Sequence, residues 1–209
     1  MDWFGKQMNY TEQSDWYKIK QDDIEKHKGG SLLSKYRYLS QIVSELMPEY
    51  DWKPWLFDTI PQGLWDSKKN RRLYLDWLFK ELNYKMWQDW YKTNQNHFVG
   101  TGTRLYQFYY NSSHIDCIMD NYPEHEWHPW KFKTAPTGFW TKKKNIIKYL
   151  SWLENKLEIK DPEDWYEHQI KGLQNNYGHG LINHFAKSMT MYSCAKTIRP
   201  EYDYKPWLF

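Results

Sequence analysis

The chain has 209 residues, enough for one domain or a short array of small ones; 20% are aromatic, including 14 tryptophans and 18 tyrosines. No apolar run approaches the ~20 residues of a membrane span, and Met1 to Tyr17 lacks the charged-apolar-small order of a secretory signal. An intracellular, non-secreted protein with no membrane partner is therefore expected. Two cysteines, Cys117 and Cys194, are too few for a disulfide scaffold, and the net charge of +3 neither demands nor excludes a polyanionic partner.

Along the chain the first marker is Asp15-Trp16-Tyr17, which returns as Asp89-Trp90-Tyr91 and Asp164-Trp165-Tyr166. Trp3, Trp77 and Trp152 precede these tryptophans at one spacing. A longer motif, Pro48-Glu49-Tyr50-Asp51-Trp52-Lys53-Pro54-Trp55-Leu56-Phe57, recurs from Pro123 to Phe132 and from Pro200 to Phe209. The offsets, 123 − 48 = 75 and 200 − 123 = 77, define three copies of one unit. We divide the chain into a partial first copy (1–64), a second (65–139) and a third (140–209). Tandem copies point to binding or scaffolding ahead of catalysis.

Each full copy opens on a predicted helix, carried by Leu73, Tyr74, Trp77, Leu78 and Leu82 and by Tyr149, Leu150, Trp152, Leu153 and Leu157. Asp66 and Thr141 stand where N-caps are expected. A second helix is predicted from Asp-Trp-Tyr towards Lys28, Phe98 and Asn175. Gly29, Gly102 and Gly178 then recur three residues before a leucine, and a special backbone angle at a helix end is their expected role. Two short helices follow, the last ending before Pro48, Pro123 or Pro200. The stretches Trp52 to Trp65 and Trp127 to Trp140 are too rich in rings for free linkers. The predicted fold is all-α, a tandem repeat of small helical units with packed aromatic and proline-rich connections.

These motifs resemble tandem helical repeats of uncharacterised proteins of fungi, protists and large DNA viruses. The likeness rests on Asp-Trp-Tyr, on Gly30-Ser31-Leu32-Leu33-Ser34-Lys35-Tyr36 and on Tyr122 to Phe132. The pattern is loosely similar to the small helical repeats attached to homing endonucleases, a likeness that implies DNA contact. The resemblance implies an architecture and no reaction.

Several groups invite a chemical reading. His114, Cys117, His125 and His128 have zinc-like spacing. The copies replace His125 by Tyr50 and Tyr202 and His128 by Lys53 and Lys205, and Cys117 matches Ile42 and Cys194, so no metal or other cofactor is expected. Asp15, Asp89 and Asp164, with Glu49, Glu124 and Glu201, read as helix-start acids rather than general acids or bases, because no nucleophile or histidine recurs beside them. Gly100-Thr101-Gly102 and Gly178-His179-Gly180 lack the Gly-Lys-Ser/Thr of a phosphate loop. The chain is read as no enzyme.

Basic residues at helix starts carry the functional expectation. Lys68, Lys69, Arg71 and Arg72 open one helix, and Lys142, Lys143, Lys144 and Lys148 open its counterpart. Between Lys131 and Lys160, eight lysines and two glutamates sum to +6. A cation in the first helical turn costs ~0.3–1 kcal/mol when exposed, a penalty that a bound phosphate would reverse. A DNA or RNA phosphate backbone is the expected partner. Further candidates are the glycine-joined helices, with Lys35, Arg37, Arg104, Gln107, Asn183 and Lys187 on their surfaces, and Trp87 as an exposed stacking ring. The alternative is a structural or protein-interaction subunit of a large assembly resembling a ribosome or virion.

Overall fold

A computed structural model describes residues 2–185 and 188–209, and Lys187 lies outside the described residues. Aromatic rings dominate the interior, and the described residues form helices and no strand, an all-α fold. The chain packs as two units, Met1–His125 and Glu126–Phe209.

The first unit holds α1 (Asp2–Met8), α2 (Gln21–Lys26), α3 (Gly30–Lys35), α4 (Leu39–Leu46), α5 (Lys68–Glu81), α6 (Gly102–Tyr109) and α7 (His114–Asn121). The second holds α8 (Lys143–Lys156), α9 (Lys171–Asn175), α10 (His179–His184) and α11 (Met191–Ile198). Short 3-10 turns join them, with Asp-Trp-Tyr always inside one: Gln13–Lys18, Trp87–Lys92 and Pro162–Glu167.

The segment after Asp-Trp-Tyr is not the single helix predicted. Ile19, Thr93 and His168 adopt extended backbone and end the 3-10 turn. Ile19 and Thr93 are buried, so the chain breaks to insert a side chain into the core. The aspartate of the marker fixes the turn. Asp15 Oδ2 accepts from the amides of Thr11 and Glu12 at 3.1 and 3.2 Å, Asp89 Oδ2 from Lys85 and Met86 at 2.8 and 3.1 Å, and Asp164 Oδ2 from Lys160 and Asp161 at 2.8 and 2.9 Å. Three carboxylates thus satisfy helix-start amides that have no backbone acceptor. The Lys92 ammonium, then the two amides, holds the Asp89 carboxyl down at about 2. A lowered carboxylate contributes stability above the ordinary range and loses it as pH falls through the folded-state value. Asp89→Asn is therefore expected to lower the thermal midpoint by a few degrees at neutral pH. The gap to the parent should close between about pH 5 and pH 2, which melting curves across that range check.

Each Pro-Trp connection packs against the helix that follows it. Trp55 lies 6.4 Å from Trp65, 5.6 Å from Tyr74 and 5.8 Å from Trp77, ring centre to ring centre. In the second unit Trp130 lies 5.5 Å from Tyr149 and 5.6 Å from Trp152, with Trp140 5.3 Å from Tyr149. The motif's phenylalanine turns the other way, so that Phe57 and Phe209 each lie 4.8 Å from the Asp-Trp-Tyr tyrosine, Tyr17 and Tyr166. Those tyrosine hydroxyls also accept the amides of Lys53 and Lys205 at 3.0 and 2.8 Å. One motif thus binds backwards by its phenylalanine and forwards by its tryptophan. Gly63 and Gly138 let the connection turn into the next helix with φ of 74° and 70°, the left-handed region.

Gly29, Gly102 and Gly178 do not have the backbone angle expected of them. Gly29 and Gly178 have φ of −87° and −82° and precede α3 and α10. The copies need glycine there for room. A methyl group at Gly102 would stand 2.0 Å from the Tyr74 hydroxyl, and at Gly178 2.6 Å from that of Tyr149.

Candidate nucleic-acid interface

The two basic helix starts share a frame. Asn70 and Asn145 donate their side-chain amides to Leu64 O and Phe139 O at 2.9 and 2.8 Å, which ties each helix start to the turn before it. The caps differ from those expected. Ser67, not Asp66, caps α5, its hydroxyl accepting from the Asn70 amide at 3.4 Å. Asp66 instead accepts the Tyr109 hydroxyl. Thr141 donates to Gly138 O at 2.7 Å, and Lys142 takes the cap position of α8 without a side-chain cap. The start of α8 thus carries three lysines in sequence, and the amides of Lys143 and Lys144 have no acceptor among the described residues.

The basic residues on α5 already hold partners inside their own unit. Arg72 donates to Asp76 Oδ1 at 3.0 Å, Glu124 Oε1 at 2.8 Å and Asn121 O at 2.8 Å, with its guanidinium 3.8 Å from the centre of the Tyr122 ring. Arg71 donates to the Tyr110 hydroxyl at 2.9 Å, and Lys68 pairs with Asp120 at 3.3 Å. These contacts stitch α5 to α7 and to the Pro-Glu that follows it. Of the four predicted residues on this helix, Lys69 alone is exposed without an ion pair among the described residues.

On α8 the balance is reversed. Lys142, Lys143, Lys144 and Lys148 are all exposed, and no ion pair engages them among the described residues. Glu154, one of the two acids in the lysine-rich stretch, is taken by Arg199 at 3.1 Å and by the Trp165 indole at 2.9 Å. Positive charge therefore accumulates. The Lys131 amine is pushed below its usual range by burial and then by the Lys156 charge. His128 is likewise lowered, by burial first and then by Lys131, with Lys148 adding to it. Two clefts border this region. One of about 530 Å3 has Lys143, His184, Ser188, Ser193 and Thr197 on its wall. Another of about 510 Å3 is lined by Lys131, Lys133, Trp140, Tyr177 and His179.

The other sequence candidates fare less well. Lys35 pairs with Glu45 at 3.1 Å, and Arg37 lies over Tyr38. Arg104, Gln107 and Asn183 are exposed, on helices of eight, eight and six residues. Trp87, expected as an exposed ring, is half-buried and stacked on His125 at 4.7 Å. His114 packs edge-on to Phe98 and Tyr106. Cys117 and Cys194 are fully buried, and burial raises both thiols, Cys194 to about 12, which leaves them protonated and inert at neutral pH. No group of three or more potential metal ligands occurs among the described residues.

No protein-family model, curated protein or solved structure matches the chain.

Proposed function

We propose that the protein binds nucleic acid without catalysis, contacting phosphates through the lysines at the start of α8. The observation that carries the reading is the set of exposed lysines 142, 143, 144 and 148, without an ion pair among the described residues, on a helix start with no acidic cap. Such an arrangement raises the local potential and destabilises the helix end until an anion arrives. Phosphate oxygens would accept from the ammonium groups and from the free amides together. The neighbouring clefts, edged with hydroxyls, histidine and tryptophan, offer sugar and base contacts beside the phosphate track. In the first unit, Lys69 offers a phosphate contact of its own. Arg71 and Arg72 act in packing, because Arg71 on Tyr110 and Arg72 on Asn121 O and Glu124 hold α5 to the end of α6, to α7 and to the Pro-Glu after it.

Reversing Lys142, Lys143, Lys144 and Lys148 to glutamate is expected to weaken binding of a labelled DNA or RNA oligonucleotide at least about 100-fold at low salt. Their exposure predicts a melting midpoint unchanged or raised, since acids suit a helix start. Fluorescence anisotropy and thermal melting on the same preparations check both. Unchanged affinity in the reversed protein would exclude this surface.

A further inference from the structure

One seam that is closed in the first unit stands open in the second. Thr101 is buried, and its amide and hydroxyl both donate to Trp55 O, at 3.0 and 3.1 Å. Those bonds close the turn before α6 against the Pro-Trp connection. Tyr177 holds the same place in the third copy, directly before Gly178 as Thr101 is directly before Gly102. It is 52% exposed, and among the described residues no bond to Trp130 O corresponds to those that Thr101 makes.

The open seam is the cleft of about 510 Å3 bordered by Lys131, Lys133, Trp140, Tyr177 and His179. Glycine at 180, where the second copy has Arg104, keeps a side chain off the Trp140 indole, whose Nε1 a methyl group there would approach to 2.4 Å. Tyr177 reaches the rim through a left-handed backbone, φ 65°, which bulky residues rarely adopt. Strain of that kind persists where a side chain serves a purpose. Packing is a weak purpose here, since the one ring that Tyr177 meets among the described residues is Trp152, at 6.3 Å.

Charge and shape together define what fits. The ionisable groups on the cleft wall are Lys131, Lys133 and His179, with no acid among them. His128 links the cleft to the lysines of α8, because the charges of Lys131 and Lys148 both act on its ring. The complementary occupant is anionic, and the rings call for a flat partner. The volume falls within the ~300–1,000 Å3 of small-ligand sites, room for one base with its sugar. Thr134 and Asn183 on the same wall offer hydrogen bonds to a base edge. A base inside a duplex is stacked on both faces and cannot enter, whereas an unpaired base can.

Resting on the phosphate binding proposed for α8, we propose that the nucleic acid is a single strand and that one of its unpaired bases enters this cleft, stacked on Tyr177 beside Trp140, with the adjoining phosphate on Lys133 at the rim. Every base has a face to stack, so the cleft selects for strandedness rather than for sequence. Phosphate contacts alone would favour the duplex, whose charge density is higher. A preference for the single strand therefore has to come from the base.

Fluorescence anisotropy on the full chain, at about 0.15 M salt, compares three labelled probes of about 15 nucleotides: an oligothymidylate, the same strand in a duplex, and an abasic strand with the same phosphates. The oligothymidylate is expected to bind at least about 5-fold more tightly than either of the others, the effect of one stacked base. Tyr177→Gly should bring it down to the abasic level, and Tyr177→Phe, which keeps a ring, should preserve the margin. Glycine suits the left-handed backbone at 177, so Tyr177→Gly is expected to melt no lower than the parent. Neither variant removes a phosphate contact, and the slope of log binding constant against log salt should match the parent's. A duplex or an abasic strand bound as tightly as the oligothymidylate, or Tyr177→Gly binding like the parent, would overturn the single-strand proposal and leave a steep salt slope, with the lysine surface, standing. The abasic comparison uses the parent alone and decides the matter if the glycine variant fails to fold. Absence of binding to all three probes would overturn both.

Discussion

Gly102→Ala is expected to destabilise the protein by about 3 kcal/mol or more, beyond the usual range for overpacking, and to leave little folded protein. The added methyl would lie 2.0 Å from the Tyr74 hydroxyl, 2.1 Å from its Cζ and 2.7 Å from its Cε2. Tyr74 has nowhere to retreat. Its ring is fully buried among Trp55, Trp65, Trp77 and Phe98, and its hydroxyl is held by the Val99 amide at 3.2 Å. Gly30→Ala is the matched control, since a methyl there meets nothing within 4 Å. That position is the first residue of α3, where alanine is favoured over glycine by less than the ~0.5–1 kcal/mol of a helix interior. Urea denaturation of the two variants should move the midpoint in opposite directions. A Gly102→Ala midpoint equal to the parent's would contradict the packing described for Tyr74.

The second large effect separates residues that the sequence presents as equals. Trp55, Trp130 and Trp207 fill the same place in one motif, yet alanine should cost ~3–5 kcal/mol at the first two, the usual loss for a buried large ring. At Trp207, which is 77% exposed, the change should stay within about 0.5 kcal/mol. The indoles of Trp55 and Trp130 bury their N–H without an acceptor among the described residues. Phenylalanine removes that unsatisfied donor while keeping most of the ring, so Trp55→Phe and Trp130→Phe should be much milder than the alanine variants. Denaturant midpoints of the alanine and phenylalanine series check the ranking. Equal losses at all three sites would mean that Trp207 is buried in solution.

What could be read from the sequence depended on whether a residue acts locally or across the chain. The all-α fold, the packed Pro-Trp connections and the buried place shared by Ile42, Cys117 and Cys194 were legible because they repeat. The recurrent glycines were legible as a requirement but not as its cause. Glycine usually signals a backbone angle, and here it answers a tyrosine 28 or 29 residues earlier, Tyr74 for Gly102 and Tyr149 for Gly178. The caps were misplaced because Asp66 and Thr141 look like good caps locally, while Tyr109 and Gly138 claim their side chains. On α5 the basic cluster seemed one surface. Its arginines are structural because Asp76, Tyr110 and Glu124 converge on them, and Glu124 lies 52 residues from Arg72 along the chain. The copies carried a hint of this: Arg71 and Arg72 face Ile146 and Ile147 in the third copy, whereas Lys68 and Lys69 recur as Lys143 and Lys144.

Rings and acids build the units, and the proposed binding function rests on the lysines of α8 that no acid pairs among the described residues. The most direct test is the slope of log binding constant against log salt for an oligonucleotide, compared between the parent and the protein lacking lysines 142, 143, 144 and 148. The parent should give a steep negative slope, and replacement of the four lysines should flatten it by about 1 for each phosphate contact removed. A parent slope near zero, or one that the four replacements leave unaltered, would contradict the assignment of function to that helix start.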